Sequence, residues 1–298
     1  MRLLLTAALL CLTIAALPAR SQQVPTVRPA DATAYFFIQL SDPQFGMFTA
    51  DKGIAQETAN FAFAISTINR LKPAFVVITG DLVNKAGDLT QMAAYARMRA
   101  TIAKNIPVYE MAGNHDIENA PTSQTVAAYR KAHGPDHYEF RYKNLLGIVL
   151  DSTLIHTPDN ARTDADAQQR WLEAELTRAK TSGAKHIVVF QHHPWFLEKA
   201  DEPDQYFNIP IVRRAPLLRL FHNNGVTMLV SGHYHRNALA RDGDIEAVTT
   251  GPVGMPLGGE QSGMRIFLVT SAGITHRYFE FGELPTTIEP EKGFVERR

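Results

Sequence analysis

The chain has 298 residues, 45% of them hydrophobic and 20% charged, with 30 basic and 30 acidic side chains and one cysteine. That balance describes an ordinary globular protein with one large core, stable without disulfides or oligomerisation. It excludes a general electrostatic attraction for nucleic acid or anionic membranes, so no nucleic-acid partner is expected.

Residues 1–21 read as a secretory signal peptide. Arg2 precedes an apolar run from Leu3 to Leu17, and Pro18, Ala19 and Ser21 give the small-residue context of a cleavage site. The run is 15 residues long, short of the roughly 20 that a spanning helix needs. Cleavage after Ser21 predicts an exported protein, periplasmic or secreted, with no membrane span. It also removes Cys11, leaving 28 basic against 30 acidic residues and a formal net charge of −2. A chain without thiols excludes disulfides, zinc–thiolate sites and cysteine nucleophiles.

Residues 22–33 are polar and proline-containing and read as an exposed lead-in. Strands are then predicted at Tyr35–Leu40, Phe75–Thr79, Val108–Met111, Leu146–Leu150, His186–Phe190 and Met228–Val230. Helical periodicity alternates with them over about 54–71, 90–104, 122–132, 164–182 and 213–224. From Asn237 the segments shorten and are divided by D-G, G-P and G-G turns. That pattern predicts antiparallel strands at 237–240, 245–249, 265–270 and 274–281 that complete a second sheet. The whole reads as one α/β domain over 34–283 followed by a tail, 284–298.

The chemistry-bearing residues fall where these strands end. Asp42 and Gln44 follow the first, Gly80-Asp81 the second, Gly113-Asn114-His115-Asp116 the third, His192-His193-Pro194 the strand at 186–190, and Gly232-His233-Tyr234-His235 the strand near Ser231. In a largely parallel sheet these positions share one edge, the side on which ligands bind. Each residue alone has a structural explanation as a turn, cap or packed histidine; together they make a metal site. Oxygen and nitrogen donors without sulfur suit manganese, iron, magnesium or zinc, and two such ions can hold a bridging hydroxide and clamp phosphoryl oxygens.

The blocks D-P-Q, G-D, G-N-H-D, H-H-P and G-H-Y-H resemble, in order, the five motifs of the calcineurin-like metallophosphoesterases. The resemblance spans about residues 36–281 and implies a four-layer α/β/β/α sandwich of two mixed sheets. It implies a first divalent ion on Asp42, Gln44, Asp81 and His235, and a second on Asp81, Asn114, His192 and His233, with manganese or iron ahead of magnesium or zinc. It also implies His115 as the acid facing the leaving group, with Asp116 orienting its ring. Gln44 departs from the pattern, because most of the family has histidine there. That departure, with Tyr206-Phe207-Asn208-Ile209 and Ile274-Thr275-His276-Arg277-Tyr278, resembles a branch whose known eukaryotic member is described as a serine/threonine protein phosphatase.

The expected activity is hydrolysis of phosphate monoesters by attack of a metal-bridged hydroxide. The alternatives are a phosphodiesterase or nucleotide hydrolase, and a silent protein that binds a phosphorylated ligand. His193, Arg236 and Asn237 are candidate substrate contacts. Gln168 is read as helix packing, His276 as structural, and Gly251–Gly259 as a mobile turn bordering the site.

Overall fold

The computed structural model describes residues 34–294. The expected signal peptide and lead-in lie outside the described residues. The strands are β1 (Tyr35–Leu40), β2 (Val76–Ile78), β3 (Val108–Glu110), β4 (Tyr138–Tyr142), β5 (Leu145–Val149), β6 (His186–Phe190), β7 (Val226–Ser231), β8 (Ala238–Asp242), β9 (Ile245–Thr249), β10 (Gly263–Thr270) and β11 (Gly273–Glu280). The helices are α1 (Ala55–Leu71), α2 (Leu89–Arg99), α3 (Asn114–Ile117), α4 (Ser123–His133), α5 (Thr153–His156), α6 (Arg162–Ala179) and α7 (Ile211–Asn223).

Two mixed sheets form, in the orders β11-β10-β1-β2-β3 and β4-β5-β6-β7-β9-β8. In the first, β1, β2 and β3 run parallel; in the second, β5, β6, β7 and β9 do. Both faces of β1 are buried, as its unbroken apolar run requires. Alternation along the strand sends Tyr35 and Phe37 between the sheets and Phe36, Ile38 and Leu40 into the layer that includes α1 residues Phe61, Ala64 and Ile65. Phe37 stacks on Phe75 at 4.7 Å and on Phe267 at 4.5 Å, ring centre to ring centre. Leu172, Leu176, Leu217 and Phe221 of α6 and α7 cover the other face of the second sheet. The result is the expected α/β/β/α sandwich.

Three elements differ from the sequence reading. The tail strands divide between the sheets: β8 and β9 join the second, whereas β10 pairs antiparallel with β1 and extends the first. This pairing buries Phe267 and Val269 between the sheets, a gain that local turn signals do not encode. The strand β4 was not predicted; it folds back on β5 across Lys143 and Asn144, and Phe140 fills the space over Gly147. The described part of the tail, 284–294, packs down: Leu284, Ile288 and Phe294 close on the outer core of the first sheet, and Arg70 donates to the carbonyls of Pro285 and Thr286. Among the described residues, no helix is long and apolar enough to cross a membrane.

Candidate metal centre

At the carboxyl ends of β1, β2 and β7 the backbone turns sharply, and the turning residues are themselves predicted ligands. Asp42, Gln44, Asp81, His233 and His235 have positive φ values of 48°, 38°, 49°, 66° and 53°. Non-glycine residues adopt that region at a cost, and they keep it where the surrounding structure over-determines it. Two glycines of the motifs have a steric reason. A Cβ on Gly113 would collide with the Asp81 carboxylate, and one on Gly232 with the Ser41 hydroxyl.

The turns bring the ligands into two buried triads that share Asp81: Asp81 with His192 and His233, and Asp42 with Asp81 and His235. Around His192 Nε2 lie Asn114 Oδ1 at 3.0 Å, His233 Nδ1 at 3.1 Å and Asp81 Oδ2 at 3.2 Å. Three electron-pair donors aimed at one ring nitrogen call for positive charge at that point. A proton on Nε2 serves one of them well; a divalent ion serves all four. Burial pulls His192 down, yet Asp81 and Asp42 more than reverse this and raise it to about 9. Burial likewise opposes ionisation of Asp81, but His192, His115 and His233 outweigh it and hold the carboxyl well below its usual range. Burial and neighbouring His192 push His233 down to about 3, which leaves one of its ring nitrogens with a lone pair for a cation.

Backbone carbonyls set the direction of two of the imidazoles. His192 Nδ1 lies 2.8 Å from Thr79 O and His235 Nδ1 lies 2.6 Å from Met255 O, so the Nε2 atoms face the carboxylates. His235 Nε2 is then 3.5 Å from Asp42 Oδ1. Gln44 Nε2 donates to Asn84 Oδ1 at 3.2 Å, which leaves Gln44 Oε1 buried with no hydrogen-bond partner among the described residues. A buried amide oxygen without a hydrogen-bond donor suits the fourth position of that ligand set, beside two carboxylates and an imidazole. The donor set is thus all oxygen and nitrogen and fits two hard-to-borderline divalent ions.

The predicted acid His115 is half-buried, and its ring is held differently from the expectation. His115 Nδ1 lies 2.6 Å from the backbone carbonyl of Asn84. Both oxygens of Asp116 are occupied by backbone N–H groups, from Leu82 (2.9 and 3.2 Å), Val83 (3.2 Å) and Gly113 (2.8 Å). Asp116 therefore clamps the Asp81 turn against α3, and Asn84 takes the orienting role.

His193 is 3% exposed, its Nδ1 2.8 Å from Ser152 Oγ and its ring 4.4 Å from that of His233. It backs the candidate ligand His233 and is itself buried. Asn237 ties Arg265 (2.6 Å), Glu260 (2.8 Å) and the N–H of Gly251 (3.2 Å). These contacts bury His193 against His233 and engage the side chain of Asn237, which stays half-buried. Arg236 is exposed, its guanidinium 5.2 Å over the Tyr234 ring. Gln168 does more than pack: its amide accepts from the N–H of Asp151 at 2.8 Å and donates to its carbonyl at 2.9 Å, fixing the loop that carries Ser152. His276 is structural, its Nδ1 3.0 Å from Arg265 Nη1 and its ring packed on Phe267. The Gly251–Gly259 segment borders the site as expected but is pinned there. Val253 and Gly254 donate to the carbonyls of Ser41 and Asp42 at 2.7 and 3.0 Å, and Leu257 donates to that of His235 at 3.2 Å.

Sequence reasoning missed Asn84, Ser152 and above all Gln39. The buried Gln39 amide donates to Thr79 Oγ1 (3.0 Å) and Ser231 O (2.9 Å) and accepts from Thr250 Oγ1 (2.6 Å), joining the two sheets beneath the centre. An amide inside an otherwise apolar strand was the available signal.

The calcineurin-like phosphoesterase profile matches residues 37–237. Serine/threonine-protein phosphatase CPPED1 of Pongo abelii is 36% identical, over 84% of this chain and 85% of the relative. Similar folds occur in GAP50, the anchor in the inner membrane complex of Plasmodium (TM-score 0.64, 15% identity, 84% of this chain and 85% of that one). They occur also in purple acid phosphatase PPD1 of yellow lupin, Lupinus luteus (TM-score 0.63, 13% identity, 86% and 53%). With two ligand triads sharing one carboxylate at the sheet ends, the chain belongs to the calcineurin-like phosphoesterase family of metal-dependent phosphoester hydrolases.

Proposed function

We propose that the chain hydrolyses phosphate monoesters, using a pair of divalent ions, manganese or iron ahead of magnesium or zinc. The observation that carries this reading is Asp81, shared by both triads and accepting the backbone N–H of His115 at 2.9 Å. One carboxylate thereby links the ion pair to the residue that serves the leaving group. Asp42, Gln44, Asp81 and His235 would hold one ion and Asp81, Asn114, His192 and His233 the other. Bound ions would supply Lewis-acid neutralisation of phosphoryl oxygens and a more acidic water. The protein supplies the rest. Asn84 accepts from His115 Nδ1–H, so Nε2 is the atom that carries the proton to the departing alcohol oxygen. Asp116 and Gly113 keep His115 at a fixed place relative to Asp81. The description of the relatives as serine/threonine-protein phosphatases supports a monoester over a diester.

The test is turnover of 4-nitrophenyl phosphate and of its bis-ester by chelator-treated protein resupplied with each metal in turn. Faster monoester hydrolysis that returns with manganese or iron supports the proposal. Faster diester hydrolysis favours a phosphodiesterase, and absence of turnover with every metal favours a silent phosphate-ligand binder. The Arg2, Leu3–Leu17 and Ala19–Ser21 pattern supports export as part of the same proposal. An intact N-terminus on protein recovered from cells, determined by mass spectrometry, would refute it.

A further inference from the structure

The loop between β6 and α7 carries aromatic side chains that the reaction outlined above leaves without a role. Tyr206 is 56% exposed, yet its ring lies 5.1 Å from that of His233. Phe207 stands 5.6 Å from His233 and 5.0 Å from Tyr234. The Arg236 guanidinium lies 5.2 Å over Tyr234. Aromatic surface thus runs outward from the Asn114–His233 side of the metal centre to an exposed cation.

The loop that presents these rings is rigidly built. Buried Glu202 accepts from the N–H groups of Leu197, Glu198 and Lys199 at 2.9, 2.8 and 3.1 Å. Buried Asn208 donates to Glu202 at 2.6 Å and to Pro203 O at 3.0 Å, and accepts from Gln205 N–H at 3.0 Å. Arg214, fully buried, donates to the carbonyls of Trp195 and Ile209, each at 3.1 Å, and to that of Glu202. Hydrogen bonds among buried polar groups are strengthened by the low local dielectric. Here it fixes the backbone on both sides of Tyr206-Phe207 while the Tyr206 ring stays open to solvent beside a metal ligand. A rigid, half-exposed aromatic wall at that place is suited to stacking on a flat apolar group.

We propose that Tyr206, Phe207 and Tyr234 form a leaving-group subsite that stacks a planar aromatic group, so that aryl phosphates are preferred over alkyl phosphates. This rests on the phosphomonoesterase reading above. The reaction balances as simple hydrolysis: a water oxygen forms the new bond to phosphorus, the bond from phosphorus to the aryl oxygen breaks, and that oxygen takes a proton from His115 Nε2. The proton lost by water returns to Nε2 and restores the imidazolium.

Binding of phenylphosphonate and methylphosphonate to manganese-loaded protein, measured by calorimetry, reads the subsite without turnover. The parent is expected to favour phenylphosphonate about tenfold, and Tyr206→Ala and Phe207→Ala each to reduce that preference about three- to tenfold, with Tyr206→Phe retaining it. The ratio of kcat/KM for phenyl phosphate over ethyl phosphate should fall in the same variants by a similar factor. Equal affinity of the parent for the two phosphonates, or a preference undiminished in both alanine variants, overturns the subsite while metal-dependent hydrolysis stands. Failure of the parent to hydrolyse either ester removes the phosphomonoesterase reading, and the subsite with it.

Discussion

The backbone carbonyl of Asn84 lies 2.6 Å from His115 Nδ1, and the side-chain oxygen of the same residue accepts from the Gln44 amide at 3.2 Å. One residue thus orients both the proposed leaving-group acid and the amide proposed as a ligand of the first ion. Because the contact to His115 is made by main chain, it survives substitution at position 84. Replacing His115 itself is the informative change. His115→Ala should lower kcat by about 10²- to 10⁴-fold with KM changed little. The loss should shrink as the leaving alcohol becomes more acidic, which steady-state rates on a series of substituted phenyl phosphates will measure.

Gln44 is the second. Imidazole is a stronger donor to borderline ions than a neutral amide oxygen. Gln44→His should therefore tighten the first ion, and competition with a chromophoric chelator gives its affinity directly. Asn84→Ala removes the group that aims the Gln44 amide and should weaken the same ion about tenfold. Unchanged affinity in both variants would place Gln44 outside the coordination sphere.

Asp116 is assigned a clamping role. Asp116→Ala leaves the N–H groups of Leu82, Val83 and Gly113 without their acceptor and should cost about 1–3 kcal/mol of stability. Asp116→Asn keeps an acceptor oxygen and should recover most of that in urea unfolding, with the rate following the stability. A residue that tuned the His115 ring would instead shift the pH–rate profile while leaving stability alone.

Asp151 makes a pH-dependent contribution. Its carboxylate accepts from Thr153 N–H (2.9 Å) and Thr153 Oγ1 (2.6 Å) through one oxygen, and the other is buried without a partner among the described residues. Burial pushes this carboxyl up to about 7. A carboxyl whose folded value lies above its unfolded value stabilises the fold in its protonated form. That stabilisation is complete below about pH 4 and is lost as pH rises through about 7. Asp151→Asn keeps the acceptor and removes the ionisation. It should gain on the order of 1–4 kcal/mol relative to the parent at pH 8 and little at pH 4, read from the difference in unfolding midpoints.

Much of the centre was legible before folding. Asp42, Asp81, Asn114, His192, His233 and His235 each sit two to four residues past the end of a strand. Strand ends are marked locally, by a change from β-branched and aromatic residues to Gly, Asp and His. Helix boundaries were also local, and α1 at Ala55–Leu71 is nearly the predicted 54–71. The role given to Asp116 failed because adjacency in sequence says little about which hydrogen bond a carboxylate accepts. His115 and Asp116 are neighbours on a short helix, and their side chains leave it in different directions.

The sequence by itself determined which side chains are offered as ligands, and that they leave successive strand ends on one edge. Periodicity and turn chemistry act over a few residues, so both are written locally. Only the tertiary structure decided what stands behind them: Met255 on His235, Thr79 on His192, Asn84 on His115, and Gln39 joining Ser231 and Thr250 across 192 and 211 residues. Those partners are selected by the face-to-face packing of two sheets around Phe37, Phe75 and Phe267. That packing places distant backbone carbonyls within hydrogen-bond reach and makes the directions of His192, His235 and His115 a property of the fold.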